Sequence, residues 1–131
     1  MDVIYMNMLD QAGVVFTEKK PTLTVQQYVV TEAMSQIHGM LHGGISAAIA
    51  EQGASLGASL ALGETKAALG LSMDTHHLKG VKMGEKCEAR AWPERQGGNV
   101  QVCRVEQRTV SNDELFNIST VTIYGKVIKH V

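Results

Sequence analysis

From Pro21 to Val30 the chain alternates, with Leu23, Val25 and Val29 on one side and Thr22, Thr24 and Gln26 on the other. A period of two predicts a strand whose apolar side meets the core. Upstream, Val3 to Gln11 has the spacing of a short amphipathic helix that turns at Gly13. After a loop through Gly39 the pattern changes, and Gly43 to Leu62 reads as one long helix, of which about 18 residues would span roughly 27 Å.

That helix is built from small residues on almost every side, among them Gly43, Gly44, Ser46, Ala50, Gly53, Ala54, Gly57 and Ala58. Each helical Gly costs about 1 kcal/mol against Ala, so several together need a packing reason. The reason expected here is close approach of other backbone, with a sheet as the wrapper.

Four further strands are predicted, at Ala68 to Leu78, Glu85 to Trp92, Asn99 to Val110 and Glu114 to Ile128. Turn chemistry separates them at Gly63-Glu64, at Gly80 with Gly84, from Pro93 to Gly98, and at Ser111-Asn112-Asp113. Short connections between successive strands predict an antiparallel meander. The expected architecture is one α+β domain over residues 1–131, a strand and a buried helix followed by four or so strands.

Composition narrows the function classes. Twelve Lys and Arg against thirteen Asp and Glu give a formal net charge of −1, with the basic residues scattered. Nucleic acid is therefore not an expected partner, because such binding rests on a basic surface. No stretch approaches the roughly 18 uninterrupted apolar residues of a membrane helix, so no membrane partner is expected. The opening MDVIYMNMLD has neither a basic region nor a small-residue cleavage site, so a cytoplasmic protein is expected. Cys87 and Cys103 read as buried free thiols, and the sequon Asn117-Ile118-Ser119 reads as chance.

Glu51 is the first candidate for chemistry. It lies mid-way along the least polar helix, and a buried, unpaired carboxylate costs several kcal/mol, so it must be paired, protonated or facing a cavity. Gly44, Ala48, Glu51, Ser55 and Ala58 fall on one face at helical spacing, which would leave room for a ligand. A structural ion pair to a strand or to another subunit is the competing reading. At the helix start, His42-Gly43-Gly44 exposes free N–H groups at the positive end of the helix dipole, suited to an oxyanion. Gly43 and Glu51 are about 12 Å apart along the axis, too far to meet one carbonyl within one chain. If both act on one substrate, a second copy supplies Glu51, in a symmetric dimer with two shared sites.

On the strand from Ala68, Leu69, Leu71, Met73, Thr75 and His77 share a face, which turns His77 inward and His76 outward. An inward His is either a satisfied core residue or a site residue. His38 and His42 have the spacing of a zinc pair, but no third ligand is evident, so no metal is expected. Dinucleotide, P-loop and nucleophile-elbow fingerprints are absent.

The residues Gln36, His42-Gly43-Gly44, Glu51 and Ser55, with this spacing, resemble the hotdog-fold acyl-CoA thioesterases. Within them the pattern is similar to the PaaI-type and hydroxybenzoyl-CoA-type branch that carries Glu on the central helix. The resemblance runs on through Gly70-Leu71, His76-His77-Leu78-Lys79 and Gly84 to Gly97–Val102, covering residues 8 to 127. It implies an antiparallel sheet wrapped around one central helix, and hydrolysis of an aromatic or medium-sized acyl thioester of CoA or acyl carrier protein. It implies Glu51 as nucleophile or general base, the Gly43 N–H as oxyanion donor, and Gln36 as a contact of the carbonyl or water. His42 would shape the loop, Ser55 would position the carboxylate or water, and Gly44 and His77 would line the substrate site. No cofactor is implied, and the assembly implied is a homodimer with shared sites within a homotetramer.

Two positions depart from the pattern. Gly98 stands where relatives often have Arg, and Lys79-Gly80 stands for Arg-Pro, which leaves Lys79, Lys82 and Arg95 to hold the CoA phosphates. A non-catalytic acyl-CoA sensor on the same fold is the alternative, although such a binder has no need of Glu51, Gln36 and Ser55 together. A hotdog dehydratase is a third reading, without its pattern here.

Overall fold

The computed structural model describes residues 6–128. Its elements in chain order are helix α1 (Met8–Gln11), strands β1 (Val15–Lys20) and β2 (Leu23–Val29), helix α2 (Gly43–Leu62), then β3 (Lys66–His77), β4 (Lys86–Gln96), β5 (Val100–Thr109) and β6 (Glu114–Val127). A single turn of 3-10 helix, Glu32–Met34, lies in the loop before α2. The strands form one antiparallel sheet in the order β1-β2-β4-β5-β6-β3, with α2 against its core face. This is the sheet and single central helix that the resemblance implied.

The long helix begins and ends where the sequence pattern placed it. His42 caps its start in extended backbone, and Gly63, at φ +83°, ends it with an N–H bonded to the Ser59 carbonyl. Other expectations need correction. Of the predicted opening helix only Met8–Gln11 forms, closed by a capping box from Asn7 and Asp10, and Val3–Tyr5 lie outside the described residues. Strand β1 was not anticipated, because VFTEKK is a charged edge strand without a buried face. The strands form a meander only from β4 to β6, and β3 crosses to the far side of β6. Strand β4 runs through Pro93 to Gln96 because a bulge between Pro93 and Arg95 absorbs the missing N–H.

The largest correction concerns which side of β2 meets the helix. Thr24, Gln26 and Tyr28 are almost wholly buried, while of the expected apolar face Val25 is buried and Val29 is exposed. The polar side of the strand faces α2, and hydrogen bonds satisfy it there. Thr24 Oγ1 donates to the Gly53 carbonyl at 2.9 Å, and Gln26 Nε2 donates to the Ile49 carbonyl at 2.9 Å. From β5, Gln107 Nε2 donates to the Ser46 carbonyl at 2.8 Å. Gln52 Nε2 also bonds Gln26 Oε1 at 2.9 Å, and Asn7 Nδ2 bonds Gln52 Oε1 at 2.8 Å.

These contacts explain part of the small-residue composition. A Cβ on Gly53 would stand 2.6 Å from Gln26 Nε2, inside contact distance. The helix is nevertheless not enclosed all round by its own chain. Ser46, Ile49, Ala50, Gly53, Ala54 and Ala58 are buried, whereas Glu51, Ser59 and Leu60 are exposed. The proposed ligand face thus ends before Ala58, which turns into the sheet. Much of the remaining core is apolar, with Val105, Val121 and Ile123 among its fully buried residues. Cys87 and Cys103 are buried free thiols, and burial is the main cause pushing their thiols up to about 12 and about 11.

Two glycines on one helix should respond oppositely to the same methyl group. Gly53→Ala is expected to lower stability by about 1–3 kcal/mol, because Gln26 cannot move without losing its bonds. Gly57→Ala meets the Thr24 methyl at 3.5 Å and the Lys20 and Pro21 carbonyl oxygens at 3.8 Å, all ordinary contact distances. It should raise stability by up to about 1 kcal/mol through helix propensity. Thermal or urea unfolding of the two variants beside the parent chain measures both.

Candidate active site

The site begins with how α2 starts. The His42 ring stands in for the usual short polar cap, its Nδ1 accepting the Gly44 N–H at 3.0 Å. The His42 carbonyl accepts the N–H groups of Ile45 and Ser46. The N–H of Gly43 has no acceptor among the described residues. Of the two glycines, then, Gly43 presents an open donor at the positive end of a 20-residue helix, whereas the Gly44 N–H is already engaged.

Gly43 opens onto a cleft of about 440 Å³. Gln36, Met40, Ser46, His77, Lys79 and Phe116 are among the residues that line it. The His77 ring lies directly against Gly43, where a Cβ would stand 2.9 Å from His77 Nε2. Glycine is required at this position by the imidazole beside it. His77 points to the core side of β3, as its strand phase predicted, but the phase is not simple. A bulge between Gly70 and Ser72 makes Ala68, Gly70, Met73, Thr75 and His77 the residues opposite the core face of β6. Leu69 and Leu71 are exposed and do not share the face of His77, contrary to expectation.

Glu51 is placed differently from its expected burial. Its side chain is exposed on the open face of α2, and it makes no hydrogen bond or ion pair among the described residues. Its carboxylate lies over Gly70 at the β3 bulge, where a Cβ would stand 3.0 Å from Oε2. Ser55 follows one turn further along, in a separate depression with Ser59, Lys66 and Ile128. Within one chain the structure therefore brings together Gln36, Gly43 and His77 but not Glu51 or Ser55.

The three cations are also divided. Lys79 and Lys82 share a small pocket of about 180 Å³ adjoining the cleft. Lys79 is held by Glu114 at 2.6 Å, so part of its charge is already compensated. Arg95 lies elsewhere, in a depression with Gly97, Gly98 and Asn99.

Behind His77 is a group of residues that the sequence reading did not identify. Asn117 Nδ2 lies 3.2 Å from His77 Nδ1 and bonds Thr75 Oγ1 at 3.0 Å. Asn117 is fully buried, so the sequon is not a surface feature. Gln107 lies beside it, and Tyr28 donates to Gln107 Oε1 at 2.6 Å. The signal was present in the alternation of β6, where Asn117 and Ser119 fall in phase with Val121 and Ile123. Polar side chains on a core face point to a buried network.

Residues 38–115 match the sequence model of the Thioesterase superfamily. The chain is 36% identical over 118 residues to 1,4-dihydroxy-2-naphthoyl-CoA thioesterase 2 of Arabidopsis thaliana, an alignment covering 86% of this chain and 74% of that protein. It is 31% identical over 121 residues to the 1,4-dihydroxy-2-naphthoyl-CoA hydrolase of Listeria monocytogenes, covering 92% and 97%. Among solved structures, a thioesterase from Haemophilus influenzae superposes with a TM-score of 0.85 at 32% identity, covering 93% of this chain and 85% of that one. With its antiparallel sheet around one central helix, the chain belongs to the thioesterase superfamily and is a thioester hydrolase of the hotdog fold.

Proposed function

We propose that the protein hydrolyses acyl-CoA thioesters, with an aromatic acyl group of the kind named for its two naphthoyl-CoA relatives. The observation that carries this reading is the Gly43 N–H, which has no acceptor among the described residues and faces a cleft shared with Gln36 and His77. A thioester oxygen seated there gains a hydrogen bond that strengthens as negative charge develops on it. Gln36, which lines the same cleft, supports the carbonyl or the attacking water. Lys79 and Lys82, at the mouth, are the cations nearest to a CoA phosphate entering the cleft.

Glu51 completes the site from a second copy. It either attacks the thioester carbon or takes a proton from the water that does, after which the C–S bond breaks and CoA leaves as its thiol. Three features support the dimer. Glu51 is exposed and has no partner among the described residues, and lies about 12 Å along α2 from Gly43. Strand β3 is a sheet edge twelve residues long. Leu69 and Leu71 are 46% and 61% exposed on it. An edge of this length without Pro or a run of Lys is suited to pairing with a copy of itself. Such pairing sets two α2 helices side by side over one continuous sheet, each Glu51 facing the other chain.

Release of free thiol from 1,4-dihydroxy-2-naphthoyl-CoA, benzoyl-CoA and hexanoyl-CoA tests the activity. Turnover of the aromatic thioesters is expected to exceed that of hexanoyl-CoA. A folded protein that hydrolyses none of them would overturn the reading. Glu51→Gln should reduce kcat by more than about 100-fold. Its melting temperature should change little, because Glu51 has no partner to lose within the protomer.

The shared site has its own test. Glu51→Ala and Gly43→Val protomers, the second keeping its N–H but forcing a branched side chain against the His77 ring, are each expected to be inactive alone, and are mixed and allowed to exchange subunits. Half of the dimers are then mixed, each with one intact site of two, so about a quarter of the parent activity should return. Recovery of nothing, with exchange confirmed by mass, would place Glu51 and Gly43 of one site on the same chain and overturn the shared site.

A further inference from the structure

One transverse row of the sheet crosses five strands beneath the first half of α2. In order it is Gln26, Ala89, Gln107, Asn117 and His77, each paired in register with the next. Four of the five are polar, and the row ends at the ring that touches Gly43. Gln26, Gln107 and Asn117 are 1%, 0% and 0% exposed, so each donor and acceptor must find a partner within the protein.

From Gln107 to His77 the bond directions follow from one fixed point. The Ser46 carbonyl of α2 only accepts, so Gln107 must turn its amide nitrogen to it. Gln107 Oε1 then faces Tyr28, whose hydroxyl donates. Burial holds the Tyr28 phenol well above its ordinary range, which keeps that proton in place. The second hydrogen of Gln107 Nε2 points to Asn117 Oδ1 at 3.5 Å, and the Ser119 hydroxyl, with one proton to give, lies 2.9 Å from that oxygen and 2.8 Å from Thr75 Oγ1. Asn117 is left with its Nδ2 toward Thr75 and His77. His77 Nδ1 faces a donor and must accept. A neutral imidazole that accepts at Nδ1 carries its proton on Nε2, the atom nearest Gly43.

We propose that Asn117 is a positioning residue, fixing His77 with Nε2–H directed into the cleft as a second hydrogen-bond donor beside the Gly43 N–H. Asn117 touches no substrate and acts only through the ring. With the opposite tautomer, Nε2 would present a lone pair to the same oxygen and repel the charge that develops there. The Ser46 carbonyl, through two amides, thus sets which imidazole nitrogen carries the proton. This assignment of a catalytic role rests on the cleft being the hydrolytic site, whereas the tautomer itself does not.

Long-range 1H–15N correlation of the imidazole side chains reads the tautomer directly, with His77 identified by the signal lost in His77→Gln. The parent protein is expected to show the Nε2–H pattern. A dominant Nδ1–H pattern would overturn the proposal whether or not any thioester is hydrolysed. Asn117→Asp keeps the shape but offers only oxygen to Nδ1, so it should move the proton to that nitrogen, and an unchanged His77 spectrum counts against Asn117. In thiol release from benzoyl-CoA, Asn117→Ala should lower kcat about tenfold or more, with KM within about threefold of the parent. The His77→Ala, Asn117→Ala double variant should be no slower than His77→Ala alone, since Asn117 acts only through the ring. Multiplying losses would show a role independent of His77 and would sink the proposal. Should Asn117→Ala fail to fold, the spectra of the parent and of Asn117→Asp still decide it.

Discussion

Helix α2 is held to its sheet by side-chain hydrogen bonds to its own carbonyls. Thr24, Gln26 and Gln107 reach the carbonyls of Gly53, Ile49 and Ser46, three positions on one stripe of the helix. A carbonyl that already accepts an intrahelical bond can accept a second, provided the donor approaches closely. Close approach in turn demands glycine or alanine at the contact. Each such bond contributes only about 1 kcal/mol net, but each costs more if its buried donor is stranded. The three together set the height of the helix over the sheet and its rotation about its axis. The exposure of Glu51 and the direction of the Gly43 N–H follow from that setting.

The fold was legible in the chain wherever periodicity carried it. The twenty residues of α2 and the four strands after it were read with boundaries close to those observed, because each ends at glycine or at a Ser-Asn-Asp turn. What could not be read was produced by exceptions to simple alternation. Strand β2 turns its polar side inward, since hydrogen bonds to the helix can substitute for apolar burial. The bulges at Leu71 and before Arg95 shift a phase or prolong a strand, and neither has a marker beyond an ordinary Gly or Pro nearby. The order of strands across the sheet depends on a long crossover that local pattern does not encode.

The candidate site divides along the same line. Gly43 and His77 were picked out from different segments and Gln36 through the family resemblance, and the structure gathers them around a single cleft. Glu51 was expected inside and lies outside, because a small-residue helix was taken to be covered on all sides when one chain covers only one. The separation along α2 is a matter of helix rise and was legible from residue count alone. The amides behind His77 were not, since their significance depends on cross-strand register. Gln107 and Asn117 are ten residues apart in sequence and adjacent across two strands.

The link from the Ser46 carbonyl to the imidazole has a consequence for precision. Ser46 lies in the first turn of α2, one turn from the Gly43 N–H. The two donors directed at the carbonyl oxygen are therefore referenced to the same short stretch of backbone, one covalently and one through two amides. When α2 rocks as a body, displacement of the N–H is accompanied by a pull on the ring in the same sense. Their errors are correlated, and the spacing between them fluctuates less than the position of either. A chain of this size has few ways to hold two groups on different elements to a common tolerance. Tying a strand residue to a helix carbonyl gives the pair one origin of coordinates.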